Sequence, residues 1–271
     1  MTIALGVLGG SGIVLGADTE ETIGETKTSA LKVHTGIAFG LETGRPSAMA
    51  VTGAGYGPYL DCIFERFTDF FRENEQYSVD ESGSGFQKLL YSFYKSHVIP
   101  YNDSETLDFQ LIVGAQRDNQ SRLWVSNRGV MRRSIDYEAV GMGDLEAKAV
   151  LVRIMSTHGL DVTAALACYA ILRAKETVVG CGKNTLLLYL VNNSVHHVFP
   201  DVIHRAEELF QNYERWENSS FLYAVGHDFV NEPKYLGGMR RAHKELRKEF
   251  TELVAQMLKD RHGVVTQPNG G

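Results

Sequence analysis

The stretch Thr2–Asp18, TIALGVLGGSGIVLGAD, decides the fold of this chain. Two apolar runs, Thr2–Leu8 and Ile13–Ala17, flank the glycine-rich segment Gly9–Gly12. Short apolar runs on either side of such a segment are typical of two antiparallel strands joined by a tight turn. We therefore predict a β-hairpin that brings the end of its second strand back to the beginning of its first.

The glycine-rich segment Gly9–Gly12 also resembles a phosphate-binding loop, because nucleoside phosphorylases carry a similar GGSG near the N-terminus. A P-loop, however, continues into a lysine and a helix. Here the apolar strand run Ile13–Ala17 follows instead. The hairpin turn is therefore the favoured interpretation, and a phosphate-binding nucleoside enzyme stays a distant alternative.

The composition is that of an ordinary globular protein. The chain has 271 residues, of which 44% are hydrophobic and 22% charged, and its net charge is -6. This supplies enough apolar material for a core and argues against a dedicated nucleic-acid binder. The longest apolar run, Thr185–Val191, is too short to span a membrane, and the N-terminus lacks the basic segment of a signal peptide. We expect a cytoplasmic protein with neither nucleic acid nor membrane as a partner.

Neither the cysteines nor the histidines indicate a metal site. The three cysteines, Cys62, Cys168 and Cys181, are odd in number and form no C-x-x-C pair. This pattern predicts reduced thiols rather than a disulfide framework or a zinc site. The histidines between positions 196 and 204 have no carboxylate or cysteine that completes a ligand set. We expect no metal and no cofactor.

Strands and helices are predicted in blocks rather than in strict alternation. This order argues against a doubly wound parallel sheet and favours an α+β fold. We predict a four-layer αββα sandwich of two antiparallel sheets flanked by helices. The predicted elements, in chain order, are strands at Thr2–Leu8, Ile13–Ala17, Leu31–Thr35, Ile37–Leu41 and Ala48–Thr52; a helix from Pro58 to Glu75; a polar loop to Gly85; a helix from Phe86 to Tyr94; strands at Asp108–Ala115, Arg122–Val125 and Ile135–Val140; helices at Asp144–Thr157 and Asp161–Thr177; and a strand at Thr185–Val191.

The tail of the chain adds helices beyond that pattern. Residues 1–195 are predicted to form the αββα domain, and residues 196–271 a helical extension packed on it. One helix is expected at Pro200–Glu217, and the last residues, VVTQPNGG, are expected to be disordered. A second helix is predicted by an apolar stripe at helical spacing, formed by Leu246, Phe250, Leu253, Val254, Met257 and Leu258.

Several short motifs occur in the order found in one enzyme family. Because of these motifs, the first two thirds of the chain resemble a proteasome β-subunit. They also resemble the simpler bacterial peptidase that works with a hexameric ATPase. Both are N-terminal-nucleophile hydrolases. The motifs are TIALGV at Thr2, GIVLGADTEETIG around Asp18, LKV at Lys32, VTGAG at Gly53, FQLIVGA at Phe109, AVGMGD at Gly141 and AKETVVGCG at Glu176.

The resemblance implies a threonine-type endopeptidase that hydrolyses peptides or unfolded proteins. It also implies a homo-oligomeric ring and an ATPase or other regulatory partner. Removal of Met1 would make Thr2 the first residue, with its hydroxyl as the nucleophile. The freed α-amine, whose ordinary pKa is about 7.7–8.0, would take the hydroxyl proton. Lys32 matches the family lysine that lowers the pKa of this amine, and Asp18 matches the carboxylate that orients the lysine.

The resemblance further implies backbone and supporting groups. Gly53 best matches the residue whose N–H would hold the oxyanion, and Gly55 is a second candidate. Gly141, Gly143 and Glu176 match supporting positions.

The residues around this trio depart from the family pattern. Met142 replaces a serine that would hydrogen-bond the terminal amine, and Val179 replaces a second serine. Glu20 stands where the family has an arginine. Because the loop before Lys32 is shorter than usual, Lys27 is a second candidate for the catalytic lysine. Two alternatives therefore stay open: a non-catalytic ring subunit, and an N-terminal-nucleophile amidase acting on a small-molecule amide.

Overall fold

The computed structural model describes residues 2–23, 26–30, 32–39, 46–101, 108–154, 159–225 and 232–259. Within these ranges the strands form two five-stranded antiparallel sheets and a separate two-stranded hairpin. The strands are β1 Ile3–Gly9, β2 Gly12–Asp18, β3 Glu20–Ile23, β4 Thr26–Ser29, β5 Val33–Phe39, β6 Pro46–Gly55, β7 Phe109–Arg117, β8 Gln120–Asn127, β9 Val130–Ser134, β10 Tyr137–Gly141, β11 Thr185–Val191 and β12 Ser194–His197. The helices are α1 Gly57–Glu73, α2 Val79–Phe93, α3 Asp144–Ile154, α4 Leu160–Thr177, α5 Pro200–Val225 and α6 Glu232–Lys259, and a π-helical turn, Tyr94–Val98, follows α2.

The two sheets are the inner layers of a four-layer sandwich. The first sheet has the strand order β10-β1-β2-β11-β12 and the second β5-β6-β7-β8-β9, while β3 and β4 pair with each other. One apolar cluster fills the space between the sheets. A second cluster joins the first sheet to α3, α4, α5 and α6, and a third joins the second sheet to α1 and α2. The predicted αββα sandwich is therefore confirmed.

Strand β1 shows why its sequence is continuously apolar. Ile3, Leu5 and Val7 belong to the cluster under the helices, and Ala4 belongs to the cluster between the sheets. A side chain at Gly6 would come within 2.7 Å of Ile112 on β7. Because successive side chains on a strand point to opposite faces, a strand covered on both sides has apolar residues at every position.

The GGSG segment forms a two-residue turn between β1 and β2. Gly9 lies opposite Gly12 in the strand register, so Gly10 and Ser11 make the turn. A side chain at Gly12 would clash with the backbone carbonyl oxygen of Leu190 on β11. The close approach of two strands thus accounts for this glycine, and the turn lies at the opposite end of the hairpin from Thr2.

The predicted polar loop ending at Gly85 is wrong, because α2 begins at Val79. A capping box starts this helix: the Ser78 hydroxyl accepts the Glu81 N–H at 3.2 Å, and the Glu81 carboxylate accepts the Ser78 N–H at 2.7 Å. Gly83 is buried, and a side chain there would come within 2.5 Å of the Trp124 indole on β8. The small and polar residues of this segment therefore start a helix and let it pack closely.

Several strands differ from the predicted ones. The strands expected at Leu31–Thr35 and Ile37–Leu41 are one strand, β5, in the described residues. The strand expected at Ile135–Val140 is β10, which begins and ends later. Strands β3, β4, β9 and β12 were not predicted, because they are four or five residues long and carry many polar side chains. Short polar strands lack the apolar alternation on which such predictions depend.

The tail helices pack on the outer face of α4. Phe210 of α5 and Leu253 and Met257 of α6 join the same buried cluster as α4. The Tyr189 hydroxyl of β11 donates a hydrogen bond to the Met257 carbonyl at 3.0 Å. The division of the chain at residue 196 stays a prediction, and the expected disorder of the last residues lies outside the described ranges. No helix in the described part of the chain is long and apolar enough to cross a membrane.

Candidate active site

The hairpin brings Thr2 and Asp18 together. Ala4 pairs with Ala17, so Asp18 reaches the beginning of β1. The Thr2 hydroxyl donates a hydrogen bond to Asp18 Oδ1, and the Ile3 N–H donates to the same oxygen at 3.2 Å. Thr2 is 4% exposed and Asp18 is fully buried. The first two residues of the predicted trio are therefore in direct contact.

Lys32, the residue directly before β5 of the other sheet, joins this pair. Its Nζ lies 2.9 Å from Asp18 Oδ1 and also donates to Thr2 Oγ1 and to the backbone carbonyl of Glu20. A buried ion pair is tolerated when further hydrogen bonds satisfy its members, as they do here. The structure thus brings Lys32 to the threonine, while the side chain of Lys27 lies outside the described residues.

A backbone group far along the chain holds the other oxygen of the carboxylate. The Gly182 N–H donates to Asp18 Oδ2 at 2.8 Å, across a separation of 164 residues. A side chain at Gly182 would come within 2.5 Å of the Glu20 carboxylate. The sequence analysis missed this role, although the GCG segment at residues 180–182 shows an unusual density of small residues.

Cys181 is the neighbouring nucleophilic side chain, and its environment keeps it unreactive. The residue is buried. Burial, followed by the negative charge of Asp18, raises the pKa of its thiol to about 11. The thiol is therefore protonated at neutral pH, and only the thiolate is a strong nucleophile. Cys181 therefore does not compete with Thr2 as the nucleophile at neutral pH.

Gly141 and Gly143 let the β10–α3 turn press against Thr2. Gly141 has a φ of +96°, and a side chain there would clash with the Thr2 carbonyl oxygen. The Gly143 N–H faces the same oxygen at 3.5 Å. A side chain at Gly143 would come within 2.9 Å of Ile3 Cβ. Only glycine fits such close approaches, so both residues fix the position of the Thr2 backbone.

A cavity of about 570 Å³ opens beside Thr2. This volume lies within the roughly 300–1,000 Å³ of small-ligand pockets. Both oxyanion candidates, Gly53 and Gly55, belong to its wall, and Gly55 has a φ of +120° where β6 turns towards α1. The described lining residues are Thr2, Ala30, Lys32, His34, Gly53, Ala54, Gly55, Gly57, Pro58, Leu60, Asp61, Gly141 and Met142.

His34 and Asp61 form a polar pair in this wall that the sequence analysis missed. His34 Nε2 lies 3.2 Å from Asp61 Oδ1, and the imidazole packs on Phe64 with ring centroids 4.9 Å apart. Burial lowers the pKa of His34 from 6.5, and the Asp61 charge opposes this shift in part. His34 follows Lys32 by two residues, so strand alternation was the available signal.

Two other predicted positions have different surroundings. Met142 is 52% exposed and lines the cavity as an apolar wall. The Glu176 carboxylate lies 3.2 Å from Arg173 Nη1 and accepts a hydrogen bond from Gln211 at 3.1 Å. Among the described residues, these contacts place Glu176 in the outer helical layer and do not join it to Thr2.

Comparison with known proteins gives structural matches alone. No family model matches the chain, and no curated protein matches it. The chain is similar to Anbu (ancestral beta-subunit) from Yersinia bercovieri, with 15% identity, 81% of this chain and 96% of that chain covered, and a TM-score of 0.64. It is also similar to Anbu from Hyphomicrobium sp. strain MC1, with 12% identity, 80% of this chain and 97% of that chain covered, and a TM-score of 0.63. A third match is the helical assembly of the Anbu complex from Pseudomonas aeruginosa, with 14% identity, 80% of this chain and 96% of that chain covered, and a TM-score of 0.65. At these identities the similarity shows the fold, which is N-terminal-nucleophile-hydrolase-like.

These matches correct the family resemblance stated above. The motifs predict a proteasome β-subunit or the ATPase-dependent bacterial peptidase, and that assignment is wrong. The matched structures are Anbu, a distinct family related to the proteasome β-subunits. The physical reason lies in what the motifs encode. Their glycines and apolar runs serve the hairpin, the close contact of the sheets and the turn at Gly141, which are features of the fold and do not separate families within it.

Proposed function

We propose that this chain is an N-terminal-nucleophile hydrolase of amide bonds, with Thr2 as the nucleophile once Met1 has been removed. One observation carries the proposal. The Thr2 hydroxyl contacts both the Asp18 carboxylate and the Lys32 ammonium, and Thr2 lies in the wall of a cavity of about 570 Å³. A nucleophile within reach of groups that activate and orient it is the usual signature of covalent catalysis.

The proton of the Thr2 hydroxyl has a defined route in this proposal. The α-amine that removal of Met1 would expose accepts the proton as the hydroxyl oxygen attacks. The Lys32 ammonium donates a hydrogen bond to the same oxygen and so favours its developing negative charge. Asp18 fixes Lys32 at 2.9 Å and balances its charge. Each member of the trio therefore has a separate task.

The acyl transfer then takes place in two steps. Thr2 Oγ1 attacks the substrate carbonyl carbon, and the backbone N–H of Gly53, or of Gly55 as the second candidate, would stabilise the oxyanion. The C–N bond breaks as the α-ammonium gives its proton to the leaving amine, which leaves an ester on Thr2. Water attacks this ester, releases the carboxylic acid and restores the hydroxyl.

Peptide bonds in peptides or unfolded proteins are the proposed substrate of this threonine-type site. The cavity volume of about 570 Å³ suits a side chain with part of its backbone. A small-molecule amide fits the same chemistry, so a panel of peptides and simple acyl-amides separates the two. The cytoplasmic location and the ATPase partner stay predictions.

Assembly with further copies of the same chain is the second part of the proposal. The relative from Pseudomonas aeruginosa is described as a helical assembly of the Anbu complex. In this chain four apolar residues are exposed on α3 and directly before it: Met142, Leu145, Ala149 and Val152. Exposed apolar stripes mark contact surfaces in many proteins. Sizing of the purified protein distinguishes a closed ring, an open helix and a monomer of 30.1 kDa; the monomer would contradict this part.

A non-catalytic subunit of such an assembly is the second candidate function, and one observation favours it. Met142 lines the cavity next to Gly141, and its thioether cannot donate a hydrogen bond as a hydroxyl does. The same fold would then serve assembly without chemistry. Labelling of Thr2 decides between the two candidates.

The deciding experiment is intact-mass measurement followed by reaction with a threonine-directed peptide electrophile. We expect a mass without Met1 and one adduct per chain, located on Thr2. Thr2→Ala should lose the adduct, whereas Thr177→Ala, which changes an exposed hydroxyl on α4, should keep it. Retained Met1, or an adduct elsewhere, would contradict the peptidase and favour the non-catalytic subunit.

A further inference from the structure

The charges in the cavity wall are unevenly distributed. Three of the described lining residues are ionisable: Lys32, His34 and Asp61. The Lys32 ammonium is paired with the buried Asp18 carboxylate. Asp61 is the one carboxylate among the described lining residues, and its side chain is 65% exposed. The wall formed by α1 therefore presents an accessible negative charge to the cavity.

His34 orients Asp61 without cancelling its charge at neutral pH. The imidazole is held between Asp61, at 3.2 Å, and the ring of Phe64. Burial lowers the pKa of His34 below 6.5, so the ring is neutral at pH 7 and can donate one N–H to the carboxylate. The imidazole therefore adds no positive charge beside Asp61 at pH 7, and the carboxylate has further acceptor positions for a ligand.

The rest of the lining suits the stem of a long cationic side chain. Ala54, Pro58, Leu60 and Met142 are apolar and belong to the same cavity wall as Asp61. Lysine and arginine combine an aliphatic stem with a charged end, and arginine can engage a carboxylate through two parallel N–H groups. We infer that the cavity selects substrates with a lysine or arginine side chain on the acyl side of the scissile amide, through the Asp61 carboxylate. This inference rests on the proposed function and deepens it.

The test measures the rate at which Thr2 is labelled by three peptide electrophiles that differ only in the residue next to the reactive carbonyl: arginine, norleucine or glutamate. Attraction between partly exposed charges at close range corresponds to a preference of up to about fivefold. We expect arginine to react about that much faster than norleucine, and glutamate more slowly than both. The norleucine probe has no charge, so its rate reports the proposed function alone.

Three variants locate the preference. Asp61→Asn should bring the arginine and norleucine rates to within about twofold of each other, and Asp61→Lys should make glutamate the fastest probe. Asp69→Asn is the matched control. Asp69 lies on the same helix α1, but its carboxylate pairs with Arg72 and is not among the described residues of the cavity wall. If norleucine labels Thr2 but the arginine preference is absent, or survives Asp61→Asn, the inference is wrong and the proposed function stands.

A binding measurement separates the inference from the covalent step. In Thr2→Ala, an acetylated peptide amide ending in arginine should bind more tightly than its norleucine counterpart, and Asp61→Asn should remove the difference. Equal binding of the two peptides would overturn the inference even if no electrophile reacts with the unmodified protein. Stronger binding of arginine without labelling would contradict the proposed chemistry and support the acidic cavity.

Discussion

The two sides of the cavity are built in different ways. On one side Thr2 directly precedes β1 and Asp18 ends β2 of the same hairpin, 16 residues apart, and both are buried. On the other side His34 comes from the second sheet and Asp61 from a helix outside that sheet, and the Asp61 side chain is 65% exposed. Strand register fixes the first pair within narrow limits, whereas the second pair depends on how a helix packs on a sheet. The difference separates the groups proposed for chemistry from those proposed for selection.

The largest expected effect comes from Thr2 itself. Thr2→Ala should lower amide hydrolysis by about 10³-fold or more, because it removes the hydroxyl that attacks the substrate carbonyl. Thr2→Ser should keep part of the rate, since it preserves the hydroxyl and the α-amine. Initial rates on a fluorogenic peptide, with folding checked by circular dichroism, measure both. Full activity in Thr2→Ala would show that Thr2 is not the nucleophile.

The next effect concerns the charged partners of Thr2. Lys32→Ala and Asp18→Asn should each lower the rate by about 10²–10³-fold, as removal of a preorganised charged group does in other enzymes. Lys27→Ala should leave the rate within about twofold of the unmodified protein, since the Lys32 ammonium already occupies the position beside Thr2 and Asp18. Rates measured at saturating substrate check the assignment. A larger loss in Lys27→Ala than in Lys32→Ala would reverse it.

Substitutions of two glycines, one beside Thr2 and one at the far end of the β1–β2 hairpin, distinguish an effect on catalysis from an effect on stability. Gly141→Ala and Gly12→Ala both place a side chain against a backbone carbonyl oxygen. Each should cost about 1–3 kcal/mol in the free energy of unfolding, as strained or overpacked positions do. Only Gly141→Ala should also slow the labelling of Thr2 per folded molecule, by about tenfold if the displaced backbone costs 1.4 kcal/mol in the transition state. Urea unfolding and labelling rates measure the two quantities, and equal labelling in both variants would show that Gly141 does not position Thr2.

The smallest expected effect is a pH dependence of selection. His34 has a pKa below 6.5 because burial disfavours its charged form, with Asp61 opposing. As the pH falls below 6.5, His34 takes up a proton and neutralises Asp61, so the preference for arginine over norleucine should decline by a few-fold. His34→Gln should keep the preference nearly constant between pH 5 and 7. The ratio of the two labelling rates removes the pH dependence of the chemistry; a ratio that rises on acidification would contradict the role of His34.

His34 also links pH to stability, and its sign can be stated. The unfolded chain binds the proton near pH 6.5, whereas the folded chain binds it at lower pH. Below 6.5 the unfolded state therefore holds more protons, and the contribution of His34 to the free energy of unfolding falls as the pH decreases through this window. Urea unfolding at pH 7 and pH 5.5 should show a smaller decrease in His34→Gln than in the unmodified chain.

The sequence by itself determined the hairpin, most of the helices and the class of fold. Apolar runs around a glycine turn predict β1 and β2, and that register alone places Asp18 beside Thr2. Local periodicity carries this information because it reflects which faces of an element are covered. The capping box at Ser78 is also present in the sequence, as a serine followed three residues later by glutamate, although the glycines and serines after it favour a loop.

The tertiary structure decided what surrounds the pair. Lys32 reaches Asp18 from the opposite sheet, the Gly182 N–H reaches it across 164 residues, and His34 meets Asp61 of α1. Glu176, which matched a motif, lies instead with Arg173 in the outer layer. Such contacts depend on the packing of whole layers, and no local pattern of residues encodes the distance between two elements that are remote in sequence.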